Sequence, residues 1–170
     1  MKKFLINIRY LLAPLFILAA VAGVYAGGPF VWTGVVLLGM GIVVDTLVKT
    51  RTPGAGFDEN GDTNGVPLFQ NAVMYTMLPV FVLLQAVLAW RIWQYTGGAV
   101  DALTTSQLIG ATMSSGIFLG IGIIYGHELA HTKGFSFIIA RWMMALSAKA
   151  HFCYAHVYNH HLELAHEDDP

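Results

Sequence analysis

The histidines of this chain are concentrated towards its C-terminal end. All 7 lie after residue 126, and five of them fall into two short motifs. The first histidine box, His127–His131, has the sequence HELAH, and the second, His156–His161, has the sequence HVYNHH. Neutral imidazole is the commonest protein ligand for transition metals. The clustering therefore predicts a metal centre built from the two boxes.

The spacing within each box suits chelation. Residues four apart on a helix share one face and lie about 6 Å from each other, so His127 and His131 can bind one metal. His156 and His160 have the same spacing, and His161 is turned by about 100° from His160. A catalytic zinc takes three protein ligands and a water, so five imidazoles favour a dinuclear site. Imidazole suits iron, copper and zinc alike, and the spacing alone leaves the metal open.

Other residues near the boxes have weaker support. His151 lies five residues before His156, off its face, and we interpret it as a possible partner of a ligand rather than as a ligand. Glu128 could likewise accept a hydrogen bond from an imidazole and orient it. His166 belongs to a polar tail and is expected to be exposed. The single cysteine, Cys153, is interpreted as a small apolar residue.

The composition indicates an integral membrane protein. The chain is 56% hydrophobic and 11% charged, with a mean hydropathy of +0.61, whereas an ordinary soluble domain is roughly 25% charged. Its 170 residues suffice for one domain, residues 1–170. The net charge of -1 gives no indication of a nucleic-acid partner, and a lone cysteine excludes an internal disulfide.

Four apolar stretches are long enough to cross a bilayer as helices. A fifth, Phe135–Leu146, contains Arg141 and is short, which favours an interfacial or re-entrant helix. The polar, turn-rich segment Lys49–Phe69 is predicted to be a loop. We therefore expect an all-α membrane bundle of about four transmembrane helices plus a short interfacial helix. The predicted spans are Tyr10–Ala26, Phe30–Val48, Ala72–Trp90 and Leu108–Tyr125.

The basic residues predict the orientation of the bundle. If the N-terminus is cytoplasmic, all of the 9 basic residues except Arg91 fall on the cytoplasmic side, as the positive-inside rule requires. Both histidine boxes then lie at the cytoplasmic ends of the helices. A cleaved signal peptide ending at Ala26 is the competing interpretation. Its apolar run would be longer than usual, and another span follows almost at once.

Box type, order, spacing and position after four spans together resemble the integral-membrane non-haem di-iron oxygenases. The resemblance is to the alkane 1-monooxygenase and xylene monooxygenase family, within the membrane fatty acid desaturase/hydroxylase superfamily, and covers nearly the whole chain. Asp45 is similar in position to an acidic residue of these hydroxylases, although an i,i+4 pair with Lys49 explains it as well. The iron ligands that the resemblance implies are His127, His131, His156, His160 and His161.

The resemblance also implies an activity. Two irons would use O2, and electrons from a rubredoxin or ferredoxin with its NAD(P)H-dependent reductase, to hydroxylate an apolar substrate such as an alkane or an alkyl-aromatic methyl group. The protein would be a multi-pass protein of the bacterial inner membrane. Members of the family carry further histidines after the second box, since five ligands do not complete two such iron sites. The chain is therefore expected to be the N-terminal part of a longer one, with the remaining ligands beyond Pro170. The alternative is a short homologue that dimerises to complete its site.

Three alternatives differ in chemistry. A fatty acid desaturase shares the superfamily and differs in product. The HELAH motif also matches the zinc metalloprotease signature, in which Glu128 would be the general base and the second box would supply a third ligand. A bis-histidine haem carrier is disfavoured, because it needs a histidine in each of two spans and the first 126 residues contain none.

Overall fold

The computed structural model describes residues 8–48 and 67–160, and every regular element in those two ranges is a helix. This confirms the all-α prediction for that part of the chain. Short 3₁₀ turns at Arg9–Leu11 and Gly28–Trp32 precede the first two helices. The helices are α1 (Leu12–Ala26), α2 (Thr33–Val48), α3 (Pro67–Thr96), α4 (Thr105–Ala130), α5 (Phe135–Leu146) and α6 (Phe152–Tyr154), which continues into a π-helical turn over Ala155–His160.

Three helical segments are long and apolar enough to cross a membrane. They are Gly28–Leu47, Leu68–Thr96 and Thr105–Ala130. The expected first span is a regular α-helix only over the 15 residues of α1, and it is too short to count among them. The structure is thus compatible with a membrane protein.

Helices α3 and α4 extend beyond the apolar stretches that predicted them. The 30 residues of α3 span about 45 Å, which matches a bilayer with its headgroup layers. Its first residue, Pro67, is favoured at a helix start, so the predicted loop ends earlier than Phe69. The rest of that loop and residues 1–7 lie outside the described residues.

The core lies between α1, α3, α4 and α5. Small residues let α4 approach its neighbours closely. A Cβ atom on Gly122 would lie 3.1 Å from the ring of Phe81, and one on Gly126 would lie 3.1 Å from Met144 Cγ and 3.3 Å from the Ala140 carbonyl oxygen. Gly126 therefore sets the spacing between α4 and α5 directly before the first histidine box. The largest fully buried side chains include Phe81, Ile17, Met77, Leu84, Met143 and Met144.

Helix α5 enters the bundle. Near its start, the Ser136 and Tyr75 hydroxyls lie 2.6 Å apart, and at its end the Leu146 carbonyl accepts a 3.1 Å hydrogen bond from Gln85 of α3. The following Ser147 hydroxyl donates to the Leu119 carbonyl of α4 at 2.7 Å. Helix α5 thus runs beside α3 in the same direction for about 15 Å. The 12 residues of α5 therefore pack against both α3 and α4.

Arg91 is a buried arginine at the end of the bundle opposite the histidine boxes. Its Nε donates to the Val24 carbonyl at 3.1 Å, and its Nη2 donates to the Tyr25 carbonyl. Nη1 donates to the Gln94 side-chain oxygen at 2.9 Å. The guanidinium satisfies two of the last carbonyls of α1, which have no partner within that helix. Arg91 therefore holds the α1 C-terminus against α3.

Candidate metal centre

The first box lies at the C-terminal end of α4. His127 lies in the last turn of that helix, and His131 is its C-cap residue. Their Nε2 atoms are 3.1 Å apart, and their ring centroids are 4.8 Å apart. Two nitrogens that bind one metal at about 2.0–2.1 Å lie roughly 3.0–3.4 Å from each other. The pair therefore has the separation that chelation of one ion requires, as the spacing predicted.

The second box contributes His156 to the same place. After α4 the chain reverses direction and runs along α5 away from the first box. It then comes back through α6 to the π-helical turn that carries His156. The His156 ring centroid lies 4.3 Å from that of His127 and 5.2 Å from that of His131. One ligand nitrogen from each of the three residues lies within 4.8 Å of the other two. We call these three side chains the imidazole cluster.

The helix type of the second box differs from the predicted one. The spacing of His156 and His160 predicted a second α-helical pair, whereas the backbone over Ala155–His160 is π-helical. A π-helix bonds residues five apart, and such turns are frequent at functional sites. The His160 side chain and His161 lie outside the part of the chain that is described in detail, so their roles remain predictions.

Phe152 is a neighbour of the cluster that the sequence analysis did not single out. Its ring stacks on that of His156 with centroids 5.0 Å apart and an interplanar angle of 12°, and it lies 6.1 Å from the His127 ring. The i,i+4 spacing to His156 was the available signal. Phe152 covers one face of the His156 ring and limits its rotation.

Cys153 is a core residue, as expected. It is fully buried in the hydrophobic core. Burial raises the pKa of its thiol, which outweighs the opposing effects of the Arg141 charge and a backbone hydrogen bond. The thiolate, which is the metal-binding form, is therefore disfavoured. Among the described residues, only the three imidazoles form a group with metal-ligand spacing.

The residues expected to orient ligands lie outside the imidazole cluster. Glu128 and His151 are both exposed, and neither belongs to the group with ligand spacing. Asp45 is exposed on α2, where it lines a cavity of about 320 Å³ between α1, α2 and α4. His166 lies outside the described residues. The other described residues that line this cavity are all apolar: Phe16, Leu37, Leu38, Gly41, Ile42, Ile117, Phe118 and Ile121.

The apolar cavity approaches the imidazole cluster along α4. Ile121 is six residues before His127, which corresponds to about 9 Å along the helix axis. Sequence patterns could not reveal this cavity, because its volume depends on the distances between three helices.

The described part of the chain is thus all-helical, with three membrane-length helices and three imidazoles that converge at the end of one of them. No protein-family model, curated protein or solved structure matches this chain significantly.

Proposed function

We propose that this chain carries the iron-binding boxes of a membrane-bound non-haem di-iron monooxygenase that hydroxylates an apolar substrate. The observation that carries the proposal is the convergence of His127, His131 and His156 from two separate boxes, with ligand atoms within 4.8 Å. His160 and His161 would complete the contribution of the second box. Five imidazoles exceed the demand of one catalytic zinc, which favours two metal ions.

The donor set fits iron. Imidazole nitrogens bind iron well, and the 3.1 Å separation in the first box suits two ligands of one ion. Bound iron would supply the activation of dioxygen, because an unactivated C–H bond offers no handle for acid–base catalysis. The protein's part is to hold the imidazoles: α4 positions the first box, and Phe152 restrains the His156 ring.

The apolar cavity supports an apolar substrate such as an alkane or an alkyl-aromatic methyl group. At about 320 Å³ it falls in the size range of small-molecule sites, and Asp45 is the only charged one among the described residues that line it. Substrates of this kind partition into bilayers, so a cavity among membrane-length helices is accessible to them. A fatty acid desaturase would share these features and differ in product.

The membrane arrangement of this proposal has four spans, with α1 crossing alongside the three longer segments. The basic residues orient the boxes towards the cytoplasm of a bacterial inner membrane. His131 is exposed at that end, which would leave the centre accessible to a rubredoxin or ferredoxin that delivers electrons from an NAD(P)H-dependent reductase.

A zinc hydrolase is the second candidate, because three imidazoles are also a common ligand set of catalytic zinc. Glu128 would then be the general base of the HELAH motif. The two candidates differ in the bound metal and in the importance of the residues around it.

Metal analysis and turnover distinguish the two candidates. The complete gene product, purified from membranes and loaded with ferrous iron, should hold about two irons per chain. With a ferredoxin or rubredoxin, its reductase and NAD(P)H, it should hydroxylate octane or toluene, and His127→Ala should abolish the product. One zinc, no iron and a peptidase activity lost in Glu128→Gln would overturn the proposal. Formation of a double bond in a fatty acyl chain without a hydroxylated product would assign the desaturase alternative.

A further inference from the structure

A second cavity lies on the outer side of α5, on a different face of the molecule from the apolar cavity. It has a volume of about 380 Å³, and we call it the α5 groove. Two of its apolar residues are strongly exposed, Trp142 at 63% and Ile138 at 50%. An exposed apolar groove of this kind is typical of a binding surface. Its lining residues are Ile138, Arg141, Trp142, Ala145 and Ala150.

Basic residues lie at one edge of the groove, and the described residues supply no acidic counterpart there. Arg141 lines it, and Lys149 is exposed next to the lining residue Ala150. The sequence contains no Asp or Glu from residue 129 to residue 162. Within the described residues no carboxylate pairs with Arg141, and the ring centroid of Tyr154 lies 4.9 Å from its guanidinium carbon. The ring covers one face of the guanidinium and leaves its N–H edge available to an anion.

With the end of α4 placed at the membrane surface, Arg141 lies just below the layer of lipid headgroups. The end of α5 bonds to Leu119, which lies eleven residues, or about 16 Å, from the end of α4 at Ala130. Arg141 lies five residues before Leu146, so it is about 9 Å from that end of the bundle. Headgroup layers extend roughly 5–8 Å on each side of the hydrocarbon core. A long basic side chain at this depth can reach the phosphate layer while its stem stays among acyl chains.

We infer that the α5 groove binds an anionic phospholipid. The phosphate contacts Arg141 and Lys149, and one acyl chain lies along Ile138, Trp142 and Ala145. Two cations without a carboxylate favour a lipid of net negative charge over a zwitterionic one, since the ammonium group of a zwitterionic lipid finds no partner among the described residues there. Arginine binds phosphate with paired hydrogen bonds, and tryptophan is typical of the membrane interface.

Lipid retention measures this site directly and does not depend on bound metal, so its outcome is separate from that of the proposed function. The full chain is reconstituted in nanodiscs of phosphatidylcholine doped with phosphatidylglycerol, re-extracted in mild detergent and examined by native mass spectrometry. Wild-type protein should retain one phosphatidylglycerol in preference to phosphatidylcholine. Arg141→Gln and Lys149→Gln should each lower this retention by about five-fold.

Matched variants separate the groove from general surface charge. Lys133→Gln removes the same charge outside the groove and should leave retention unchanged. Arg141→Lys should retain most of the bound lipid, which shows that loss in Arg141→Gln is not a folding defect. Ala145→Trp keeps both cations and fills the groove, and it should displace the lipid. Equal retention of the two lipids, an equal loss in Lys133→Gln, or a lipid-free dimer that Ala145→Trp dissociates would overturn the inference.

Discussion

His127 contacts both other members of the imidazole cluster. Its Nε2 atom lies 3.1 Å from that of His131, and its ring lies 4.3 Å from that of His156. Removing this ring leaves two imidazoles whose ring centroids are 5.2 Å apart. No other described residue of α4 could replace His127 as the partner of His131, because none belongs to the group with metal-ligand spacing.

Replacing His127 should therefore empty the centre. His127→Ala is expected to lower bound metal by more than about tenfold, since losing even a residue that only orients ligands commonly costs 10–100-fold in affinity. His151→Ala is the matched control, because His151 is exposed and outside the cluster. Metal content per chain is measured by inductively coupled plasma mass spectrometry. Equal losses in the two variants would show that the cluster is not the metal centre.

Only part of this site could be predicted from the sequence. The pairing of His127 with His131 is local and follows from the helix repeat. The approach of His156 is not local: it depends on α5 entering the bundle and on the return of the chain through α6. The roles expected of Asp45, Glu128 and His151 rest on residue type and position along the chain, and they stay predictions.

At the scale of elements, the contact of α4 with α5 holds the first box in place. Gly126 makes this contact possible, with Met144 Cγ at 3.1 Å and the Ala140 carbonyl oxygen at 3.3 Å from the place of a Cβ atom. Met144 can move, whereas a backbone carbonyl in a packed helix moves little. Branched side chains at residue 126 must therefore push the two helices apart.

Gly126→Val should destabilise the protein by about 1–3 kcal/mol, the usual cost of overpacking. Gly120→Ala is the matched control. A Cβ atom there meets nothing within 4 Å, so the variant should be neutral or slightly stabilising, because alanine favours helix more than glycine does. Thermal unfolding in detergent gives both values. If Gly126→Val melts at the wild-type temperature, α4 and α5 do not pack as described.

Helix α5 ends in a Schellman motif with an unusual residue. The Lys149 N–H donates to the Met144 carbonyl at 2.8 Å, and the Ala148 N–H donates to the Ala145 carbonyl at 2.9 Å. Ala148 has a φ of 56°, in the left-handed region where glycine is the usual residue. A side chain in that region costs roughly 1–2 kcal/mol.

Ala148→Gly should relieve that cost and stabilise the protein by about 1 kcal/mol, less the entropy that glycine adds to the unfolded chain. Ala150→Gly, two residues further, should not stabilise, since its backbone has no positive φ to relieve. The free energy of unfolding in denaturant is the measurement. A destabilised Ala148→Gly would show that the turn after α5 is not left-handed at this residue.

Helix bounds illustrate why sequence and structure differ at this scale. Apolar runs predicted the centres of α3 and α4, but both helices continue through polar residues such as Gln70, Gln94 and Gln107. Continuation is favourable because each added residue gains a backbone hydrogen bond once the helix exists. For the same reason, α4 ends later than predicted, and the helix includes His127, the first of the predicted ligands.

On the scale of the whole molecule, the imidazole cluster and the buried Arg91 lie at opposite ends of the bundle. The 26 residues of α4 separate its two flanking turns by about 39 Å. Val100, in the turn between α3 and α4, is fully exposed at one end, and Thr132 is exposed at the other. The uneven distribution of basic residues predicts which of these ends faces the cytoplasm.

Cysteine labelling tests that orientation. In a Cys153→Ala background, which removes a buried and poorly reactive thiol, Val100→Cys should react with a membrane-impermeant maleimide in intact cells. Thr132→Cys should react only after the membrane is permeabilised, because it shares its end of the bundle with Lys133, Arg141 and Lys149. Each variant is the control for the other, since both sites are exposed in turns next to α4. The reverse pattern, with Thr132→Cys labelled in intact cells and Val100→Cys protected, would place the metal centre outside the cytoplasm and exclude electron delivery by a cytoplasmic ferredoxin or rubredoxin.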